Sequence, residues 1–252
     1  FLFHRINCMV ESLGDKMNIK IGLAGNPNCG KTTLFNLLTG SNQYVGNWSG
    51  VTVESKEGIL KNHNNITITD LPGIYSLSPY SPEEVVARNY LVNEKPNVII
   101  NIVDGTKLER NLYLTLQLME IGVPIVVAIN MMDVVRKNGG KIYIEKLSKI
   151  LGIKVVEISA LKNIGIDNLI NTTIQVANNK TSPPKFMKYN SSVENTLQYI
   201  ESKINNNSIK EKSRYYSVKI IEKDKYILNS LNLNLETINK INSKINSCEE
   251  LY

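Results

Sequence analysis

The sequence predicts an α/β fold, a mostly parallel sheet flanked by helices, with a small all-α region at its C-terminal end. Three observations predict it. From Asn18 to about Asn178, short apolar runs alternate with helical patterns. Two of those runs, "PNVIINIVD" (96–104) and "VPIVVAIN" (123–130), are apolar almost throughout, as strands buried on both faces are. A polar stretch with two prolines, "NNKTSPPK" (178–185), then reads as a linker, and beyond it apolar residues recur only at helical spacing.

The elements follow in order. "NIKIGLAG" (18–25) is a strand ending in glycine, and "KTTLFNLLTG" (31–40) is a helix closed by Gly40. "VTVESKEGIL" (51–60) alternates as a strand does, and "NITITD" (65–70) is its hairpin partner. "KVVEIS" (154–159) is a last short strand, and helices fill roughly 82–94, 109–121, 143–151 and 165–178. Ser81, Pro82 and Glu84 supply a cap, a first-turn proline and a capping-box acid for the first of these. After the linker, Val193, Leu197, Ile200 and Ile204 keep one helical face, as do Leu235, Ile238, Ile241, Ile245 and Cys248, so three to five helices are expected. The predicted division is a leader or tag over 1–16, expected to be disordered, with Met17 as the natural start. A nucleotide-binding domain over 17–178, a linker over 179–190 and a helical domain over 191–252 complete it.

Composition narrows the function classes. The 252 residues contain 42% hydrophobic and 21% charged residues, ordinary for a globular protein. Three scattered cysteines and two distant histidines make neither a disulfide framework nor a zinc site, which fits a reducing cytosol. The net charge of +6 is not concentrated in any basic run, so no nucleic-acid partner is expected. The longest apolar runs fall far short of the ~18 residues a membrane helix needs.

The chemistry lies in a constellation of motifs. "GNPNCGKT" (25–32) matches G-x-x-x-x-G-K-[ST] and sits between a strand and a helix, the context a phosphate-binding loop requires. Its backbone N–H groups and the positive helix end wrap phosphates, Lys31 reaches the β- and γ-phosphates, and Thr32 ligates Mg²⁺. Asp70, at the end of a strand, binds Mg²⁺ through water, and the Gly73 N–H meets the γ-phosphate. Thr52 lies between loop and aspartate and is the expected second hydroxyl ligand of Mg²⁺, engaged when GTP orders its segment. "NMMD" (130–133) matches N-x-x-D: Asp133 accepts from the guanine N1–H and exocyclic amine while Asn130 braces the loop. Adenine offers no such donor pair. "SALK" (159–162) adds a base-side contact through the Ala160 N–H. In this chain order the motifs imply a P-loop GTPase fold of the Ras-like kind. The full expected nucleotide set is Gly25, Asn28, Cys29, Gly30, Lys31, Thr32, Thr33, Thr52, Asp70, Gly73, Asn130, Met131, Asp133, Ser159 and Ala160. Cys29 sits at a helix N-terminus, which lowers a thiol pKa, but it reads as a spacer rather than a redox sensor.

One position departs from many such switches. A glutamine that orients the attacking water often follows the glycine of the Asp-x-x-Gly motif, and here Ile74 stands there, followed by Tyr75. No arginine lies in 41–56, so that segment supplies no arginine finger.

Beyond these motifs, "YVGNWSGVTVESKEG" (44–58), "GNPNCGKTTLFN" (25–36) and "DLPGIYSLSPYSPEEVVARNYL" (70–91) resemble the cytosolic G domain of the ferrous iron transport protein B (FeoB) family. The resemblance runs from about Asn18 to Ile170 and continues through "RYYSVKIIEKD" (214–224) into the family's helical, GDP-dissociation-inhibitor-like region. It implies a GTP-hydrolysing switch that regulates ferrous iron uptake at the cytoplasmic face of the inner membrane. The implied partners are the membrane domain of the same full-length protein and, for assembly, a homo-oligomer. It further implies a bound K⁺, with the Asn28 side-chain carbonyl and the backbone carbonyls of Gly46 and Trp48 as ligands; the catalytic set is then Lys31, Thr52, Gly73 and Asn28. Trp48, in a polar Gly-Asn-Ser-Gly setting, reads as a site residue rather than core filler. Two alternatives stand beside this reading. A ribosome- or tRNA-linked GTPase would want an RNA-binding module with a GXXG loop, and residues 181–252 contain no glycine. A module that senses GTP against GDP with negligible turnover is kept open by the missing glutamine.

Overall fold

The computed structural model describes residues 18–78, 81–179, 188–204 and 212–249. The expectations for 1–17 and for most of the linker lie outside the described residues. The chain builds a seven-stranded sheet with order β2-β3-β4-β1-β5-β6-β7. Its strands are β1 (Ile19–Gly25), β2 (Gln43–Asn47), β3 (Glu54–Ile59), β4 (Ile66–Asp70), β5 (Val98–Asp104), β6 (Ile125–Asn130) and β7 (Lys154–Glu157). Only β3 runs against the rest, pairing antiparallel with β2 and β4. The helices are α1 (Lys31–Thr39), α2 (Pro82–Asn89, continued by a π turn Tyr90–Glu94), α3 (Leu108–Glu120), α4 (Met132–Lys137), α5 (Ile144–Leu151) and α6 (Ile166–Asn178). Four more follow the sheet: α7 (Ser191–Ile204), α8 (Ser213–Ile221), α9 (Lys225–Ser230) and α10 (Leu235–Glu249).

Side-chain alternation sorts the central strands into two cores. Val98, Ile100 and Ile102 of β5 meet Leu34, Phe35 and Leu38 of α1 and Leu169 of α6 on one face. Ile99 and Val103 meet Ala87 and Leu91 of the α2 segment and Leu114 and Leu118 of α3 on the other. That second core is continuous with Ile200, Ile204, Tyr215, Ile220, Ile241 and Ile245 of the C-terminal helices. The apolar stripe read over 235–248 therefore buries Ile241 and Ile245, while Leu235 remains 76% exposed. The capping box forms as its residues predict: Ser81 Oγ accepts from the Glu84 N–H and Glu84 Oε2 from the Ser81 N–H, both at 3.2 Å. Among the described residues no helix is long and apolar enough to cross a membrane.

The structure adds two elements not foreseen. Strand β2 escapes sequence reading because it is an edge strand with four of its five residues exposed, so it shows no period-2 burial. Helix α4 is a six-residue turn with few periodic positions.

Polar contacts join the helical region to the sheet domain. Tyr189 donates to Glu120 Oε1 at 2.5 Å, and Lys219, almost fully buried, donates to Ser78 Oγ at 3.4 Å. Arg88 of α2 is 1% exposed, lies 4.0 Å over the Tyr226 ring, and faces Asp224 at 3.8 Å. Asp224 also caps α9, accepting from the N–H groups of Tyr226 and Ile227. Removing one partner of a buried ion pair leaves the other charge uncompensated. Asp224→Ala should therefore cost about 3–5 kcal/mol in urea unfolding, part of it the lost cap. Asp224→Asn, which keeps an acceptor at the cap, should recover about 1 kcal/mol of this. A loss below about 1 kcal/mol for both would show that the Arg88 charge is balanced elsewhere.

Candidate nucleotide site

Four loops, after the parallel strands β1, β4, β6 and β7, carry the site. The first follows β1. Gly25 lies so close to β5 that a Cβ there would meet the Ile102 backbone oxygen at 2.7 Å. The chain then turns through Asn28, at φ 64°, and Gly30, at φ 92°, before α1 begins at Lys31. Left-handed backbone favours glycine and tolerates asparagine, which accounts for both residue types. Cys29 is fully buried, and burial pushes its thiol up to about 11, so it stays protonated, as a spacer would. Thr32 and Thr33 are exposed at the helix start, beside the free N–H groups of its first turn.

Parallel pairing of β4 with β1 sets Leu23 opposite Asp70 and so brings the carboxylate to this loop. Asp70 is 7% exposed and forms a close ion pair with Lys31. Burial raises its pKa, against the lowering effect of that ammonium. A buried carboxylate that pairs with Lys31, the residue before the exposed Thr32, supplies the hard oxygen donor that suits Mg²⁺. Among the described residues no group of three or more His, Cys, Asp or Glu could hold a metal, so an ion here would rely on hydroxyls, water and nucleotide phosphates as well.

The segment after Asp70 is pinned to the loop. The Ile74 N–H donates to Gly25 O at 3.2 Å, and a Cβ on Gly73 would stand 3.2–3.4 Å from Pro27. Ile74 itself is 2% exposed and belongs to the core. The position that often carries a glutamine is thus a packing position here.

The second loop pair follows β6 and β7. Asn130 Nδ2 donates to Cys29 O at 2.8 Å, and Asn130 Oδ1 accepts from the Ala160 N–H at 2.9 Å. The residue therefore braces the phosphate loop, and it does so by tying that loop to the Ser159–Ala160 loop. Gly30 leaves the room: a Cβ there would fall 2.3 Å from Asn130 Nδ2. Met131 adopts φ 61° and starts α4. Asp133 accepts from Ser159 Oγ at 2.9 Å and pairs with Lys162 at 3.2 Å; the hydroxyl first, then the ammonium, hold its pKa below the ordinary carboxylate value. Lys162 closes the "SALK" stretch, and the motif alone does not announce its pairing with Asp133.

Three expected site residues are not brought to the loop. Gly46 and Trp48 belong to the β2–β3 hairpin, with Gly46 opposite Ser55 and the Trp48 carbonyl accepting from the Val51 N–H at 3.2 Å. β2 lies three strand spacings from β1, about 14 Å. Thr52 is exposed at the tip of the same hairpin. The Trp48 ring, expected to be a site group, instead packs edge-on to Tyr90 at 5.6 Å, against the main core. The Ala160 N–H, expected to face the base, is donated to Asn130. Antiparallel pairing satisfies the segment's own backbone groups, and this is why it lies away from the loop.

A phosphate loop closing β1, an Asp-x-x-Gly segment pinned to it and an N-x-x-D loop braced against it, on this sheet, define a P-loop GTPase domain. The chain belongs to the ferrous iron transport protein B family, whose model matches residues 19–173, while a FeoB cytosolic helical domain model matches residues 189–252. It is 46% identical over 214 residues to the Fe(2+) transport protein A/Fe(2+) transporter FeoB fusion protein of Porphyromonas gingivalis, over 82% of this chain and 25% of that protein. It is 46% identical over 213 residues to the Fe(2+) transporter FeoB of Methanocaldococcus jannaschii, over 82% of this chain and 31% of that one. The chain thus spans a quarter to a third of the length of these relatives. Among solved structures, NFeoB of S. thermophilus bound to GDP·AlF4⁻ and K⁺ is similar at 45% identity and a TM-score of 0.85, over 92% of this chain and 91% of that one. A variant of the same S. thermophilus domain bound to mGDP reaches a TM-score of 0.90 at 44% identity, over 94% of this chain and 90% of that one.

Gly30→Ala tests the bracing directly. An added Cβ adopts left-handed backbone and displaces the Asn130 amide from both its partners. The expected loss of GDP affinity is about 2–4 kcal/mol, read by titration with a fluorescent GDP analogue. Unchanged affinity would mean that the two loops are held apart by something other than Asn130.

Proposed function

We propose that this domain binds GTP with Mg²⁺, hydrolyses it to GDP and phosphate, and acts as the switch of a ferrous iron transporter. The observation that carries the reading is the Asn130 bridge, which fixes a phosphate-wrapping loop at a set distance from a carboxylate that can accept two guanine donors. Asp133 and Ser159 line the base end; Gly25, Asn28, Cys29, Gly30, Thr33 and Met131 shape the two loops. Lys31 exchanges Asp70 for the β- and γ-phosphates when a nucleotide enters. The Gly73 N–H donates to the γ-phosphate. Thr32, Asp70 through water and, once the switch closes, Thr52 would hold Mg²⁺, which neutralises phosphate charge.

The charge that builds up between the phosphates still needs a partner, since Ile74 follows Gly73 where a glutamine often stands and residues 41–56 hold no arginine. Potassium supplies positive charge there, and neutral carbonyl oxygens suit a monovalent cation. Asn28 fits a ligand role: it is exposed, left-handed, and its side chain makes no hydrogen bond among the described residues. The Gly46 and Trp48 carbonyls would complete the set, which requires residues 44–53 to leave the hairpin. The S. thermophilus domain bound to GDP·AlF4⁻ and K⁺ supports this choice of ion. The wider reading, drawn from the family, is a cytoplasmic-face domain whose partner is the membrane part of the same full-length protein, in a homo-oligomer. Residues 17–178 form the G domain and 191–252 the helical domain in this reading.

Single-turnover hydrolysis measured in potassium and in sodium tests the proposal, with ATP as the control substrate. Potassium should speed GTP hydrolysis at least about tenfold. Asn28→Ala should abolish that gain while GDP affinity stays nearly intact. Asp133→Asn should weaken guanine nucleotides on the order of a hundredfold, because an acceptor becomes a mismatched donor. Equal rates in the two salts would return the charge-stabilising role to a partner protein, and effective competition by ATP would overturn the guanine assignment.

A further inference from the structure

Beside the phosphate loop lies a small cleft, about 70 Å³, lined by Asn26, Pro27, Asn28, Tyr75, Lys107 and Arg110 among others. The Tyr75 ring stands at its edge, and the Arg110 guanidinium lies 4.5 Å from the ring centroid. Both side chains are exposed, Tyr75 at 45%, but each rises from an anchored base. Tyr75 follows Ile74, which is buried and tied to Gly25 O. Arg110 rises from the first turn of α3, where buried Asn111 accepts from the Asp104 N–H at 3.2 Å and donates to Lys107 O at 3.0 Å.

We propose that Arg110 is a positioning residue for GTP hydrolysis: its guanidinium clamps the Tyr75 ring beside Asn28 and so fixes the Gly73–Tyr75 backbone against the phosphate loop. This rests on the proposed hydrolysis. Ile74 stands where a glutamine often orients the attacking water. With Ile74 turned into the core, the segment can act on the γ-phosphate and water only through its backbone, and a backbone donor is useful only where it is held. Small displacements of such a group cost large factors in rate. The hydrogen bond from Ile74 fixes one side of Gly73; the ring–guanidinium contact fixes the chain just beyond it. Lysine is a poor substitute, because its compact ammonium lacks the planar face that stacks on a ring. The cation supports geometry here and does not touch the phosphates, so its loss should leave nucleotide binding in place.

The test is single-turnover GTP hydrolysis in saturating potassium, with GDP affinity and thermal midpoint measured on the same proteins. Arg110→Ala and Tyr75→Ala should each slow hydrolysis about fivefold, with GDP affinity and midpoint unchanged. The double variant should be no slower than either single one, Arg110→Lys should fall between, and Tyr75→Phe, which keeps the ring, should restore the rate. Rates within twofold of wild type for Arg110→Ala, losses that multiply in the double variant, or a parallel fall in GDP affinity and midpoint would each overturn the assignment. Wild-type protein that hydrolyses GTP in potassium while Arg110→Ala matches it overturns this inference alone. Wild-type protein without turnover overturns the hydrolysis reading and this inference with it.

Discussion

A nucleotide gripped at both ends needs its phosphate loop and base loops held at one separation, and here a single amide does this. Asn130 is 3% exposed, donates to the Cys29 carbonyl and accepts from the Ala160 N–H. A buried amide with both ends satisfied is stable where it sits and costly to disturb. The surrounding features serve that joint. Gly30 lacks a Cβ that would occupy the space of the amide, β6 is buried along its whole length beneath it, and Cys29 fills the space under the loop as an inert thiol. The Ser159–Asp133–Lys162 contacts then orient the carboxylate from a loop already fixed by Asn130.

The phosphate end is poised differently. In this conformation Lys31 and Asp70 neutralise each other, and the segment carrying Gly46, Trp48 and Thr52 satisfies its backbone by pairing with β3. The proposed closure of the switch would set five residue pairs of an exposed edge ladder and the Trp48–Tyr90 contact against new ligands for cations and phosphate. β2 is an edge strand, paired only with β3 and with four of its five residues exposed, so little burial holds it in the sheet. A nucleotide need only prefer the closed state by a few kcal/mol to move most of the population. The buried Trp48 indole N–H has no partner among the described residues, which weakens the open arrangement further.

Much of this was legible in the sequence, for identifiable reasons. The phosphate loop, Asp70 and the N-x-x-D pair are local motifs bounded by strands whose continuous apolar runs, as in β5 and β6, announce burial on both faces. What escaped depends on contacts far apart in the chain. Nothing near Ala160 tells that its N–H meets Asn130, 30 residues away. The Arg110 guanidinium meets Tyr75 only because α3 packs beside the loop. The place of the Trp48 ring is not legible locally: its polar neighbours describe a loop, whereas the ring lies on Tyr90 through the hairpin that the exposed β2 forms. Leu235 shows the converse: it fits the helical stripe, yet it lies at the end of α10 beyond the packed surface.

In the proposed cycle, the segment around Trp48 leaves its hairpin to complete the site when GTP and potassium are bound. Trp48 is the only tryptophan, so intrinsic fluorescence reports on it directly. Emission should be compared in the GDP state and with a non-hydrolysable GTP analogue, Mg²⁺ and potassium. The account predicts a clear spectral change as the ring loses its contact with Tyr90, abolished by Tyr90→Leu in the starting state and smaller in sodium. Identical spectra in the two nucleotide states, with the analogue shown to be bound, would contradict it.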